Sequence, residues 1–308
     1  MTTTHFAESG GALTTVFAIP MKSRLRCANW PAAELSLRRT IGSIQQAARG
    51  HSVVICIACH EPPELGGVGK EGIVVLPVEF PAPRTLLEAN RDKARKRRHI
   101  GAWVRARATE DVRIAFVDAD DLVHRRFLDA VVRSKAESQL VTDGYFLDTA
   151  HGVVWLRRGM FHRSCGSGFA CRFRPDELPV SSEDLDAPFS HFGNAPDQRG
   201  HGEYGDVAAD LGRPPLPLGL AGVAYLVNHP ESLSLMKRGR RTLDRPSELV
   251  WPRAARQIVS DEFSARDLAE GLAGTGLAAS VYGGALLRRG RRRLAAIAPS
   301  AGRSRGRA

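Results

Sequence analysis

Short apolar runs without polar interruption alternate with stretches whose apolar positions fall three and four apart. Residues 14–20 are β-branched and apolar and stop at a proline, which predicts a buried first strand. Leu35, Leu37, Ile41, Ile44 and Ala48 share one helical face. That helix leads through Gly50 into a second apolar strand at 51–59, and a third follows at 72–78. Residues 88–108 form a strongly basic helix with Ala94, Ile100, Trp103 and Val104 as its apolar contacts. A fourth strand, 112–117, runs into Asp118-Ala119-Asp120-Asp121, and Phe127, Leu128, Val131 and Val132 mark a further helix. Strands are expected at 140–148, 153–157 and 221–227, and an irregular segment at 174–219 with a short helix near 204–211.

Strands that are apolar throughout and alternate with helices predict an α/β fold: a mainly parallel sheet with helices on both faces. Ligands of such sheets bind beyond the carboxyl ends of the strands. The residues that follow each strand are therefore the candidates for chemistry.

Charge changes this picture at one end. Of the 44 basic and 33 acidic residues, 236–308 hold 16 and 6, so the first 235 residues are almost neutral. The expected organisation is a disordered N-terminus at 1–11, a catalytic body at 12–235, and a basic helical extension at 236–308 with a disordered end. Residues 271–287 are uncharged and precede an arginine run, but 17 Gly-rich residues are short for a membrane span. A helix packed on the body is the expectation there, and a helix lying on an anionic membrane surface is the alternative. Residues 1–11 show no secretory pattern, which sets a cytoplasmic expectation, with peripheral association at the inner face of the membrane as the alternative.

Five cysteines without repeated spacing do not make a disulfide framework. Cys56-Ile57-Ala58-Cys59-His60 matches the spacing of haem attachment and of redox motifs, but both cysteines lie inside an apolar strand, which favours core packing.

Three carboxylates within four positions repel one another, so such clusters are placed where a cation offsets them. Asp118 and Asp120 at a strand end would point the same way, and hard oxygen ligands suit Mg2+ or Mn2+ with a diphosphate completing the shell. Capping of the next helix is the alternative role.

The segment 112–123 resembles the Asp-x-Asp region of family 2-like GT-A glycosyltransferases, in which an apolar strand runs into Asp-Ala-Asp-Asp and an apolar pair. The likeness extends to the strand ending at Pro20, the helix around 37–44 and the second strand, and covers roughly residues 12–230. The resemblance implies transfer of a sugar from a nucleotide-sugar donor to a glycan, lipid-linked or small-molecule acceptor, metal-dependent and inverting. A retaining reaction stays open. It implies that Asp118 lies near the ribose, Asp120 binds the metal, and Asp121 supports the donor sugar or the metal site. Pro20 and Lys22 would border the nucleotide. His60 and Glu61 stand where relatives often place an aspartate for the base. Lys93 and Arg97, one helical turn apart, could reach the diphosphate. Gly166 and Gly168 resemble a small-residue turn near the donor sugar, and His229 would complete the metal's ligands. The base that takes the acceptor proton would be Glu203 or Asp206, with Glu183-Asp184 as the competing pair.

Two other readings compete. A sugar-phosphate nucleotidyltransferase would show a glycine-rich loop after the first strand, and residues 20–24 contain no glycine. A non-catalytic polyanion binder would use the Arg-rich tail, but no nucleic-acid-binding motif accompanies it, which argues against nucleic acid.

Overall fold

The computed structural model describes residues 13–193, 200–229, 231 and 248–272. Its first strand, β1 (Thr15–Pro20), is buried throughout and is followed by α1 (Trp30–Ala47). The helix starts before the first residue of the apolar stripe because the Asn29 side chain accepts from Ala32 N and Pro31 fits the first turn. β2 (Val53–Cys59) and β3 (Ile73–Pro77) come next, then α2 (Leu86–Arg105). The start of α2 is fixed by a capping box: the Thr85 hydroxyl accepts from Glu88 N, and the Glu88 carboxylate accepts from Thr85 N.

β4 (Val112–Phe116) delivers the aspartate cluster, which passes into β5 (Leu122–Val123) and α3 (Phe127–Arg133). After these come β6 (Ser138–Leu140), β7 (Asp143–Asp148), β8 (Val153–Arg157), β9 (Phe169–Phe173), α4 (Tyr204–Asp210), β10 (Leu216–Pro217), β11 (Ala221–Val227) and β12 (Glu248–Val250).

Among the described residues the strands form two sheets, both mixed, where one mainly parallel sheet was expected. The first has the order β10-β6-β9-β4-β1-β2-β3. β1 pairs in parallel with β2 and β4, and β2 with β3, but β9 runs antiparallel to β4 and β6. The second sheet has the order β12-β8-β7-β11-β5. The expected strand at 140–148 is therefore two strands in different sheets, β6 and β7.

The two faces of the first sheet bury separate cores. Phe17, Ile19, Ile55, Ile57 and Cys59 pack with Leu37, Ile41 and Ile44 of α1, and with Phe127 and Val131 of α3. The second sheet joins this side through Phe146, Val223 and Val227. Val16, Ala18, Cys56, Ala58 and Phe116 face the other way, toward Ile100 and Val104 of α2 and the aromatic group Phe189, Phe192 and Tyr204. Cys56 and Cys59 thus belong to opposite faces of one strand, as three-residue separation dictates. All five cysteines are free. Burial pushes the Cys56 thiol up, and Cys59 is raised to about 11.

Residues 248–272, which fall within the basic helical extension expected at 236–308, complete the second sheet. β12 pairs antiparallel with β8, and Ala255, Val259, Phe263, Ala265 and Ala269 bury Leu122, Tyr145, Leu147, Val154 and Leu226. The expectations for 1–11 and for the basic residues from 273 onward lie outside the described residues. Among those described, no helix is long and apolar enough to cross a membrane.

Candidate functional site

β4 runs into Asp118–Asp121 on the edge where the parallel strands β1, β2 and β4 have their carboxyl ends, and the turn that carries these aspartates is held from α1. Thr40, fully buried, donates from its hydroxyl to Ala119 O at 3.0 Å, and Ser43 Oγ accepts from Val123 N at 3.0 Å. Asp121 N closes the turn on Asp118 O at 3.2 Å.

This turn sends the three carboxylates to different partners. Asp118 meets α2: Lys93 Nζ lies 2.6 Å from one carboxylate oxygen and 2.7 Å from the other, and Arg97 Nη2 is 3.5 Å from Oδ1. Burial works against its charge, but Lys93 and Arg97 outweigh it and hold the carboxyl below its ordinary value. Asp121 has no exposed surface. The hydroxyl of Ser167 and the thiol of Cys165 donate to its Oδ2, the latter at 3.2 Å. Burial, then the charges of Asp120 and Asp118, push its carboxyl well above the usual range. Asp120 is the most exposed of the three. Its Oδ2 lies 3.0 Å from His229 Nε2, so Asp118 and Asp120 do not share partners as their strand spacing suggested.

The turn at 165–168 is fitted to the cluster. Ser167 Oγ accepts from Asp118 N at 2.8 Å while its hydroxyl proton goes to Asp121, so one serine binds two aspartates. A Cβ on Gly166 would stand 3.2 Å from Asp118 Oδ2 and 3.4 Å from Lys93 Nζ. Gly168 has φ +88°, and a Cβ there would lie 2.6 Å from Val141 Cγ2, so both the backbone and the space require glycine.

Arg97 is buried under this site. It donates to the Tyr204 hydroxyl and lies 4.7 Å above the Phe116 ring. Lys96 is also buried, donating to Met21 O and to Asp92 Oδ2, each at 2.7 Å. Asp92 accepts His60 Nε2 on its other oxygen at 2.7 Å, which makes a His60–Asp92–Lys96 chain across the ends of β1 and β2. Asp92 also lines a groove of about 240 Å³ with Phe80, Pro81, Pro83, Arg91 and Arg95. Nothing in the sequence singled out Asp92, which sits inside a charged run.

Among the described residues, the other expected site residues do not touch the aspartate cluster directly. Pro20 closes β1 opposite Ala58. Lys22 Nζ donates to Glu231 Oε2 at 2.6 Å, and the other Glu231 oxygen accepts from Asn29 N at 2.6 Å. Glu61 accepts from Arg24 N at 2.9 Å. Glu203 and Asp206 are exposed at the start of α4, and Glu203 accepts from Gly200 N at 3.0 Å. Of the competing pair, Glu183 binds Arg95, and Asp184 accepts from Val180 N and Ala187 N, a turn-building role.

No protein-family model matches the chain, and no curated protein matches it. The site's own geometry carries the functional argument. Asp120 Oδ2 and His229 Nε2, 3.0 Å apart as in a direct ion pair, are the two groups that could hold a divalent cation, since two ligands about 2.1 Å from a metal and at right angles also lie about 3 Å apart. Among the described residues no cluster of three or more His, Cys, Asp or Glu is placed to do so. Mg2+ and Mn2+ sites commonly use one or two protein groups and leave the remaining positions to water and phosphate oxygens.

Proposed function

We propose that the chain is a glycosyltransferase of the GT-A type, moving a sugar from a nucleoside-diphosphate donor to an acceptor hydroxyl with Mn2+ or Mg2+. The observation that supports this reading most is the division of labour in the aspartate turn. One carboxylate is paired with Lys93, one is fully buried against Ser167 and Cys165, and one faces a histidine at 3.0 Å beyond the carboxyl ends of parallel strands.

In this reading Asp120 and His229 hold the cation, which when bound stabilises negative charge on the departing diphosphate. Asp118, kept ionised by Lys93, accepts hydrogen bonds from the ribose. Lys93 lies at the edge of the same turn and offers its remaining N–H donors to phosphate oxygens. Gly166 leaves room for the donor to approach Asp118. Glu203 or Asp206, at the exposed start of α4, takes the proton of the acceptor hydroxyl as the acceptor oxygen bonds to the sugar's anomeric carbon. The bond from that carbon to the diphosphate oxygen breaks, and the nucleoside diphosphate leaves with the electron pair.

The test is a thermal-shift screen of nucleoside diphosphates and nucleotide sugars with and without Mn2+, run on the native chain and on Asp120→Ala. A ligand present at about 100 times its dissociation constant stabilises the folded state by about 2.7 kcal/mol. The expected result is a Mn2+-dependent shift with one nucleotide class, lost in Asp120→Ala. An unchanged Mn2+-dependent shift in that variant would refute the assignment of Asp120.

A further inference from the structure

His229 reaches Asp120 from a bend that is built by residues outside the aspartate cluster. β11 ends at Val227, which lies opposite Asp148 in the parallel pairing with β7. The next residue, Asn228, has φ 60°. Asparagine tolerates this left-handed conformation better than most residues, but the surroundings must still enforce it. Asn228 is buried, and its Nδ2 donates to Asp148 Oδ2 at 2.9 Å.

Asp148 is itself fixed. It is buried at the end of β7, where Oδ1 accepts from Ala150 N at 3.1 Å and His151 N at 3.2 Å, and Oδ2 lies 2.8 Å from His151 Nδ1. The other side of His229 is anchored as well. The Glu231 carboxylate is tied to Lys22 Nζ and Asn29 N. His229 therefore follows a residue tied to β7, Asn228, and Glu231 is tied to the β1–α1 connection. An extended residue at 228 would continue the line of β11, whereas the left-handed one turns the chain so that His229 faces Asp120.

We propose that Asp148 and Asn228 are positioning residues: their buried hydrogen bond sets the left-handed turn that presents His229 Nε2 to the cation shared with Asp120. This rests on the reading of Asp120 and His229 as the metal pair. Asparagine fits the position on two counts. Glycine would adopt the same φ without strain but without a tie to β7, and aspartate would set a second carboxylate against Asp148.

The experiment measures Mn2+ affinity by water-proton relaxation, with inorganic pyrophosphate as a diphosphate that needs no base, and follows folding by circular dichroism. Asp148→Asn sets an amide donor against the Asn228 amide. Loss of such supporting hydrogen bonds typically weakens metal binding roughly 10- to 100-fold, and that fall is expected here. The double exchange Asp148→Asn with Asn228→Asp reverses donor and acceptor and should restore most of the affinity, while circular dichroism shows whether the single variant had kept the native fold. If Asp148→Asn does not fold, Asn228→Gly carries the same expected weakening. Asp120→Asn, run in parallel, separates the two claims. Native Mn2+ affinity in Asp120→Asn overturns the metal pair and this inference together. Lost affinity in Asp120→Asn with native affinity in the folded position-148 or position-228 variants overturns the inference alone. A double exchange that folds but regains no affinity overturns it too.

Discussion

Lys93→Met removes one ammonium from the aspartate turn and keeps most of the side chain's length. The lost contacts are those at 2.6 and 2.7 Å to the two Asp118 oxygens, while Arg97 stays 3.5 Å away. Removing one partner of a buried ion pair costs about 3–5 kcal/mol. Here the side chains keep 20% and 23% exposure, and the guanidinium remains, so about 2–3 kcal/mol is expected near neutral pH. The pH dependence follows from the direction of the Asp118 shift. Its folded pKa is depressed, so its ionised form contributes stability above the unfolded value of about 3.9, and this is lost as pH falls through the folded value. The variant has given up most of that contribution already. The gap between native and variant should therefore be widest near neutral pH and shrink below about 1 kcal/mol once Asp118 is protonated in both. Urea unfolding at a series of pH values from neutral to strongly acid measures it. An equal gap at both ends of the series would mean that Lys93 contributes packing rather than charge, and would refute the electrostatic account.

The opposite sign is expected at Asp121. Its folded pKa is raised, so the stability it contributes is present below the unfolded pKa and lost as pH rises through the folded one. Asp121→Asn keeps an acceptor for Ser167, and in urea titrations the variant should gain on the native chain as pH rises; a constant difference would count against burial as the cause. Gly168→Ala should destabilise by about 2–5 kcal/mol in thermal or urea unfolding, from left-handed strain and the 2.6 Å approach to Val141, and a native-like midpoint would show that the turn relaxes. Tyr204→Phe takes the acceptor from a buried Arg97 N–H and should cost about 1–3 kcal/mol, read by denaturant unfolding; no loss would show that the guanidinium finds another acceptor.

What could be read from the residues alone follows from where apolar periodicity is strong. β1, β2, β4 and α1 are continuous or cleanly amphipathic and were legible, as was the aspartate turn after β4. β9 was not: Phe-Ala-Cys-Arg-Phe is five residues long and places Arg172 at the surface, so its pattern is too short to separate from a loop. The second sheet was hidden for a related reason. β7 and β11 looked like further members of one sheet, because an apolar run says that a strand is buried but not which neighbour buries it. The site was legible in its acids and not in its supports. Thr40 and Ser43 read as ordinary helix residues, Asp92 disappears among the charges of α2, and Asp148, Asn228 and Glu231 gain meaning only when strands distant in sequence come side by side. Gly166 and Gly168 read as a small-residue turn, yet the bonds of Ser167 between them to Asp118 and Asp121 depend on the antiparallel β4–β9 pairing.

The buried cations of α2 also bear on how the chain is made. Lys96, Arg97 and Arg98 are all inside, and the Tyr204 hydroxyl that receives Arg97 lies 107 residues further along. Like charges at helical spacing repel, and a lone helix of this length is marginal in water. During synthesis at about 5–20 residues per second, α2 would wait on the order of 5–20 s for that acceptor to emerge. Over that interval Lys96 already has Met21 and Asp92 as acceptors, whereas Arg97 is without the hydroxyl that receives it in the finished fold.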